Sequence, residues 1–298
     1  MQMAFQNKVK LFLLNNYNHN MKKLLTIICL ISGMMLSAQE LSVMTYNIKL
    51  DYPKEGENSW SNRKPFFINQ IKFYSPDIFG VQEAMPNQMK DMGNLLENYN
   101  HLGVGRDDGK DEGEYSAIFY KKSKFKVLKP STFWLSETPN EVSMGWDAVC
   151  NRICSYALFE DIVSGKKIWF FNTHFDHVGV EARKNSAVLI VEKIKEINTE
   201  NLPVILSGDF NMEDTHESIQ IIEQELKDSK DIAKLVFGPN GTFNNFEFDK
   251  PVTIRIDFIF VSPKITVNKY AVLSDSWDCK YPSDHLPVFI SVDLNSEN

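Results

Sequence analysis

Val204-Ile205-Leu206-Ser207-Gly208-Asp209-Phe210-Asn211 is an apolar run that closes on a carboxylate and, two positions later, an amide. Leu202–Ser207, which overlaps its start, reads as a short apolar strand. A polar residue fixed at the end of such a strand is held rigidly and still reaches a cleft. The same interruption recurs along the chain. Met44-Thr45-Tyr46-Asn47 ends in an amide, Ile78-Phe79-Gly80-Val81-Gln82-Glu83 in a carboxylate, and Trp169-Phe170-Phe171-Asn172-Thr173-His174 in an imidazole. Ser283-Asp284-His285-Leu286-Pro287 sets a carboxylate beside an imidazole just ahead of a last strand over Val288–Val292. Asp257 lies inside Ile254–Val261, an apolar strand otherwise broken only by Arg255. Each has a plain alternative: a turn residue at Asn47, a solvated helix start at Glu83, a cap pair at Asp209 and Asn211, a satisfied core histidine at His174. Asp257 is harder to set aside, because a buried carboxylate needs a partner, and His285 is the candidate.

Around these segments the pattern alternates strands and helices. Strands are expected over Leu41–Ile48, Asp77–Gln82, Ile153–Glu160, Lys167–Asn172 and Ile265–Val272. Helices are expected over Asn62–Tyr74, Pro86–Leu96, Gly179–Ile197 and His216–Leu226. Gly179–Ile197 carries an amphipathic stripe of Ala187, Ile190, Val191, Ile194 and Ile197. Ser164-Gly165 joins two strands as a hairpin, and Tyr115–Lys121 with Phe125–Leu128 reads as a strand pair. Gly103–Gly113 is a charged loop and Pro130–Val149 is irregular. Hairpin neighbours exclude a purely parallel sheet. Two mixed sheets face to face with helices outside would bury this many apolar strands; one large open sheet is the alternative, and composition does not separate the two.

Not all 298 residues are expected in the fold. Residues 1–20 are Asn-rich and patternless. Met21-Lys22-Lys23, the apolar run Leu24–Leu36 and Ser37-Ala38 have the order of a secretory signal peptide over 21–38, too short for a membrane span. The expectation is an upstream extension (1–20), a leader (21–38) and a single domain (39–298) that is exported, periplasmic or secreted. The first 38 residues hold four lysines and no acid, so the net charge of −7 becomes −11 without them. That balance opposes tight non-specific nucleic-acid binding, which rests on basic surface. Cys150, Cys154 and Cys279 remain; in a strand the first two stand ~13 Å apart, too far for a bridge, and Cys279 pairing with either stays open.

The segments MTYNI (44–48), VQE (81–83), EYSAIFY (114–120), NTH (172–174), GDFN (208–211), RIDFIF (255–260) and SDHLP (283–287), in this order, resemble the endonuclease/exonuclease/phosphatase superfamily of metal-dependent phosphohydrolases across residues 41–294. The resemblance implies a four-layer α/β sandwich, two facing mixed β-sheets flanked by helices, as in DNase I. It implies Glu83 and Asn47 as a metal pair with Asp284 orienting the site or helping hold the ion. An oxygen-only set suits Mg²⁺ or Mn²⁺. Asp209 then orients or deprotonates the attacking water, and Asn211 bonds the water or the phosphoryl group. His285 with Asp257 resembles the family's His–Asp pair, in which the carboxylate favours the charged imidazole, and His174 is a second imidazole on the phosphate. Arg152, Tyr115 and His177 are the softer substrate-binding candidates. Lys49 departs from an Asp that some nuclease members carry there, so one tightly held ion is expected.

The shared motifs do not choose a substrate. Export, acidic charge and the acids of GVGRDDGKDEG (103–113) favour a phosphorylated small molecule or short nucleic acid over a polymer track. The absence of a long apolar loop weakens a sphingomyelinase reading. The leading expectation is a phosphodiesterase or phosphatase; an exported nuclease of low processivity and a catalytically inactive binding module are the alternatives. Trp60, Trp134, Trp146 and Trp277 are read as cleft walls or core.

Overall fold

Period-two alternation along apolar strands is what layers this protein. The computed structural model describes Met3, Tyr17, residues 40–52 and residues 54–294. The extension (1–20) and the leader (21–38), Met3 and Tyr17 apart, lie outside the described residues. The strands are β1 (Leu41–Asn47), β2 (Ile78–Gln82), β3 (Tyr99–Leu102), β4 (Ile118–Lys121), β5 (Phe125–Trp134), β6 (Ile153–Asp161), β7 (Lys167–His174), β8 (Val204–Asp209), β9 (Lys227–Asp228), β10 (Leu235–Phe237), β11 (Asp257–Val261), β12 (Ile265–Val272) and β13 (Val288–Leu294). The helices are α1 (Trp60–Tyr74), α2 (Pro86–Leu95), α3 (Val180–Ile197), α4 (Glu217–Glu223) and α5 (Ser229–Ile232). Among the described residues no helix is long and apolar enough to cross a membrane.

Two mixed sheets form, in the orders β10-β12-β13-β1-β2-β4-β3 and β5-β6-β7-β8-β11-β9. Val43, Ile78, Phe170, Ile205 and Ile259 meet in the core between them. The alternate residues point outward. Met44, Tyr46, Phe79 and Val81 pack on Phe67, Ile71, Met89 and Met92 of α1 and α2. Trp169, Phe171, Leu206 and Phe260 pack on Ala187, Ile190, Ile194, Ile219 and Ile222 of α3 and α4. This is the four-layer sandwich expected, and the single open sheet is excluded.

The inner faces change chemistry along their length. With a period of two, β1 runs Val43, Thr45, Asn47; β7 runs Phe170, Asn172, His174; β8 runs Ile205, Ser207, Asp209; β11, antiparallel to β8, runs Val261, Ile259, Asp257. Parallel pairing sets His174 beside Asp209, and antiparallel pairing sets Asp257 beside Asp209. The same register that buries the aliphatic ends therefore stacks the polar ends at one rim.

Between core and rim lies a layer of amides. Asn172 donates from Nδ2 to the carbonyls of Val81 and Ala117, at 2.9 Å each, across to the other sheet. Its Oδ1 accepts from Gln82 Nε2 at 2.7 Å and Ser207 Oγ at 3.1 Å. Gly80 makes room, since a Cβ there would stand 2.2 Å from Asn172 Oδ1. Asn172→Leu takes the side-chain donor from both carbonyls, of which Ala117 keeps the Val81 N–H, and one of two acceptors from the Gln82 amide, which keeps Thr45; it should lower stability by about 2–3 kcal/mol in a denaturant titration.

Several expected boundaries move. Tyr115–Lys121 and Phe125–Leu128 are not a pair: β4 lies in one sheet and β5 opens the other. Asp77 binds Lys121 Nζ at 3.0 Å and Lys124 Nζ at 2.7 Å, while the Lys124 carbonyl already accepts from Ile162, just past β6 of the second sheet, so the turn carries the chain across. Pro130–Trp134, expected irregular, belongs to β5. Pro130 lacks an N–H, but it falls where the register shifts between Leu128 and Ser131, which tolerates that loss. Asp257 begins β11 rather than interrupting it, and Arg255 turns away to pair with buried Asp228. Of the tryptophans, Trp60 starts α1 and is buried, Trp134 is in β5, and Trp277 stacks on Phe66 at 4.6 Å; none of these, nor Trp146, lines the cleft described next.

Candidate active site

The polar rim opens into a cleft of about 450 Å³ lined by Lys49, Glu83, Arg106, Glu114, Cys150, Arg152, His174, His177, Asp209, Asn211, Phe243, Asp284 and His285, among others. Asp209 is at its centre. Its Oδ2 accepts from Asn47 Nδ2 at 2.9 Å and stands 3.5 Å from His174 Nε2 and 3.8 Å from His285 Nε2. Its Oδ1 accepts the Asn211 backbone N–H at 2.9 Å. His285 Nδ1 meets Asp257 Oδ2 at 2.8 Å. Residues from β1, β7, β8, β11 and the segment before β13 thus converge, and Glu83 joins them through Asn47 Nδ2 at 3.0 Å.

Backbone conformation aims several of these groups. Lys49, Glu83 and Asn211 all adopt left-handed φ, at 54°, 60° and 52°. For residues with a Cβ this costs free energy and persists only where surroundings over-determine it. At Glu83 the chain leaves β2, and the turn sends the carboxylate over the end of β1, where Oε2 accepts from Leu50 N–H at 3.0 Å.

Charge is graded across the site. Burial pushes the Asp209 carboxyl up, reinforced by Asp257 and opposed by His285, to about 7. Burial opposes protonation of His285, but Asp257 and Asp209 outweigh it and raise its pKa to about 10. Burial, with Arg152 and Arg106 nearby, holds His174 well below the usual histidine range. Asn211 Nδ2 is a donor 3.0 Å from His174 Nε2, so that nitrogen accepts and the ring is the neutral Nδ1–H tautomer. His174 therefore grips Asn211 through Nε2 and carries its one donor on Nδ1, 3.9 Å from Glu114 Oε2. Burial works against ionising Glu83, but Lys49 and His285 prevail and lower its pKa.

The residues expected to hold a metal partly fit one. Glu83 and Asp284 are hard oxygen donors facing the cleft, and Asp209, expected to serve the water, lines it as a third, a set suited to a Mg²⁺- or Mn²⁺-type ion. Asn47 is placed among them, yet its Oδ1 accepts from Lys49 N–H at 3.0 Å while its Nδ2 serves both carboxylates. Its amide as oriented braces the carboxylates rather than offering an oxygen. The ligand-type atoms of Asp209, Asp257 and His285 gather within 4.8 Å, but Asp257 and His285 are spent on each other.

Arg152 and His177 both line the cleft, with Arg152 Nη2 donating to His177 Nδ1 at 3.0 Å and Arg152 Nε 3.5 Å from Asp176 Oδ2. Tyr115 does not: its hydroxyl lies 3.0 Å from both the Lys110 carbonyl and Asp111 Oδ1 and tethers its own loop. Glu114, paired with Arg106 at 2.7 Å, lines the cleft and went unread in the sequence, as did Phe243, whose ring meets the His285 edge at 5.1 Å. Both lie in loops without periodicity; the only signal for Glu114 was its place at the head of EYSAIFY. Among the described residues Cys150, Cys154 and Cys279 are free, so Cys279 pairs with neither of the other two.

The pattern of the Endonuclease/Exonuclease/phosphatase family matches residues 44–285, from the strand that delivers Asn47 to His285 itself. This chain is a member of the endonuclease/exonuclease/phosphatase family. A solved endonuclease/exonuclease/phosphatase family protein from Bacteroides thetaiotaomicron is 42% identical, with a TM-score of 0.85 over 87% of this chain and 99% of that one. A second structure from the same organism, named a mannosyl-6-phosphatase, is 43% identical with a TM-score of 0.83 over 85% and 99%. Human tyrosyl-DNA phosphodiesterase 2 is 26% identical over 58% of this chain and only 42% of its own length. Members of the endonuclease/exonuclease/phosphatase family hydrolyse phosphate esters.

Proposed function

We propose that this protein is an exported, divalent-metal-dependent phosphatase for a small phosphorylated molecule of the sugar-phosphate kind. The observation that carries the reading is the convergence of Asp209 and the His285–Asp257 pair, 3.8 Å apart, at the floor of a cleft of about 450 Å³ that suits a small molecule. The relative named a mannosyl-6-phosphatase, 43% identical over nearly its whole length, favours a monoester; the phosphodiesterase relative keeps diesters in the test.

In this mechanism Asp209 orients water and takes its proton, with Asn211 fixed by neutral His174 to steer the same water. His285, kept cationic by Asp257, stabilises charge building on the phosphoryl group. Arg152 and His177 hold the rest of the substrate. Glu83, Asp284 and Asp209, with Asn47 bracing the set, would hold Mg²⁺ or Mn²⁺, which would supply Lewis-acid polarisation.

The test is a panel of p-nitrophenyl phosphate, a hexose 6-phosphate, bis-p-nitrophenyl phosphate and a single-stranded oligonucleotide, with Mg²⁺, Mn²⁺ or EDTA. Monoester turnover that EDTA abolishes is expected; no turnover of any ester, with melting indifferent to the ions, would point to a binding module instead. A cation at about 100 times its dissociation constant should raise stability by about 2.7 kcal/mol. Glu83→Ala should erase that rise while leaving the metal-free melting temperature within a few degrees.

A further inference from the structure

We propose that Lys49 is the residue that makes this cleft prefer phosphate monoesters, its ammonium binding the additional charged oxygen that a monoester has and a diester lacks. The proposal rests on the phosphate-ester reading of the cleft given above.

The backbone of Lys49 is fixed at every polar atom. Its N–H donates to Asn47 Oδ1 at 3.0 Å. Its carbonyl accepts from Arg63 Nη2 at 3.0 Å and from Gln88 Nε2 at 2.9 Å. The conformation so held is left-handed, with φ 54°, which a residue with a Cβ adopts only under such constraint. Arg63 is buried, and it gives its other donors to carbonyls as well, including Ile48 and Pro282 at 2.7 and 2.8 Å. It thus ties the end of β1 to the segment that leads into Asp284.

From this anchorage the side chain reaches the cleft, where Nζ stands 3.1 Å from Asp284 Oδ2 with 24% of the side chain exposed. An ammonium has three donors, and a single carboxylate oxygen uses one. Of the other cationic side chains lining the cleft, His285 pairs with Asp257, Arg106 with Glu114, and Arg152 with Asp176 and His177, leaving Arg152 Nη1 without a partner. Without a bound cation, Glu83 and Asp284 beside Lys49 would repel a phosphate dianion. A monoester near neutral pH bears two charges over three terminal oxygens, a diester one charge over two. A fixed cation placed among those carboxylates discriminates between them.

The test compares Lys49→Met, Lys49→Arg, Asp284→Asn and the Lys49→Met/Asp284→Asn double variant with wild type. Methionine keeps the stem and is no worse suited than lysine to the left-handed backbone. Inorganic phosphate binding is read by calorimetry in EDTA, and kcat and KM are read for p-nitrophenyl phosphate and bis-p-nitrophenyl phosphate with Mg²⁺. Lys49→Met should weaken phosphate binding about tenfold or more and lower monoester kcat/KM by about 10–100-fold, with the diester changed less than about threefold and Lys49→Arg retaining most of the preference. Unchanged phosphate affinity, or equal losses on both esters, overturns the proposal. So does recovery of phosphate affinity in the double variant, which would mean that Lys49 only neutralises Asp284. A wild type that turns over neither ester faults the catalytic reading alone, and the calorimetry still decides the role of Lys49.

Discussion

Asp209→Asn should lower turnover by about 10³–10⁴-fold and yet leave the metal-free protein more stable than wild type at pH 8. The loss follows from position. Asp209 Oδ2 accepts from Asn47 at 2.9 Å, with His285 Nε2 at 3.8 Å and the unprotonated His174 Nε2 at 3.5 Å, and an amide there can take no proton from water. The gain follows from burial beside Asp257. Raising the carboxyl from its ordinary 3.8 to about 7 penalises the ionised folded state by up to ~4 kcal/mol. Asparagine forfeits charge-assisted bonds from Asn47 and Asn211, which offsets part of this and leaves ~2 kcal/mol. The sign is specific: a carboxyl whose folded pKa is raised destabilises above its unfolded value, so the advantage of Asp209→Asn should be absent near pH 4 and full above about pH 7. Chemical denaturation in EDTA across that range, beside a steady-state assay with Mg²⁺, measures both halves. An equally active variant, or one less stable at pH 8 than at pH 4 relative to wild type, contradicts the assignment.

His285→Gln should also lower turnover by about 10³-fold or more, but with the opposite effect on stability. His285 neutralises Asp257, at 2.8 Å and 1% exposed, in a pocket that also holds Asp209. Removing the cation leaves a buried carboxylate unpaired, a loss of about 3–5 kcal/mol. Because its folded pKa is raised to about 10, the stability His285 contributes is complete below the ordinary histidine value near 6.5 and disappears as pH rises through about 10. The gap between wild type and His285→Gln should follow that window. The His285→Gln/Asp257→Asn double variant, which removes the charge at both positions of the pair, should recover most of the stability and little of the activity. Two substitutions 3.8 Å apart that kill turnover while moving the melting temperature in opposite directions would be hard to reconcile with a merely structural polar cluster.

Much of this was legible in the chain. The run ending at Asp209, the runs ending at Asn47 and His174, and SDH before the last strand were readable because strand ends break an apolar period locally. The stripe on Gly179–Ile197 named the helix that packs on Trp169 and Leu206 for the same reason. What was misread was nonlocal. Lys122–Lys124 has the length of a hairpin, and only the claims of Asp77 and Ile162 on its flanks send β5 to the other sheet. Tyr115 sat in a family-like motif, but the loop at Lys110 and Asp111 had first use of its hydroxyl.

The sequence by itself determined the family, the layered α/β class and the inventory of carboxylates, amides and imidazoles, since periodicity and residue type are carried within each segment. Only the tertiary structure decided protonation and partnership: that His285 is cationic and His174 neutral, that Asn47 braces carboxylates with its nitrogen, that Lys49 shares the cleft with Asp284. Those properties depend on burial and on distances of a few ångströms between residues as far apart as 47 and 209, and no local pattern encodes either.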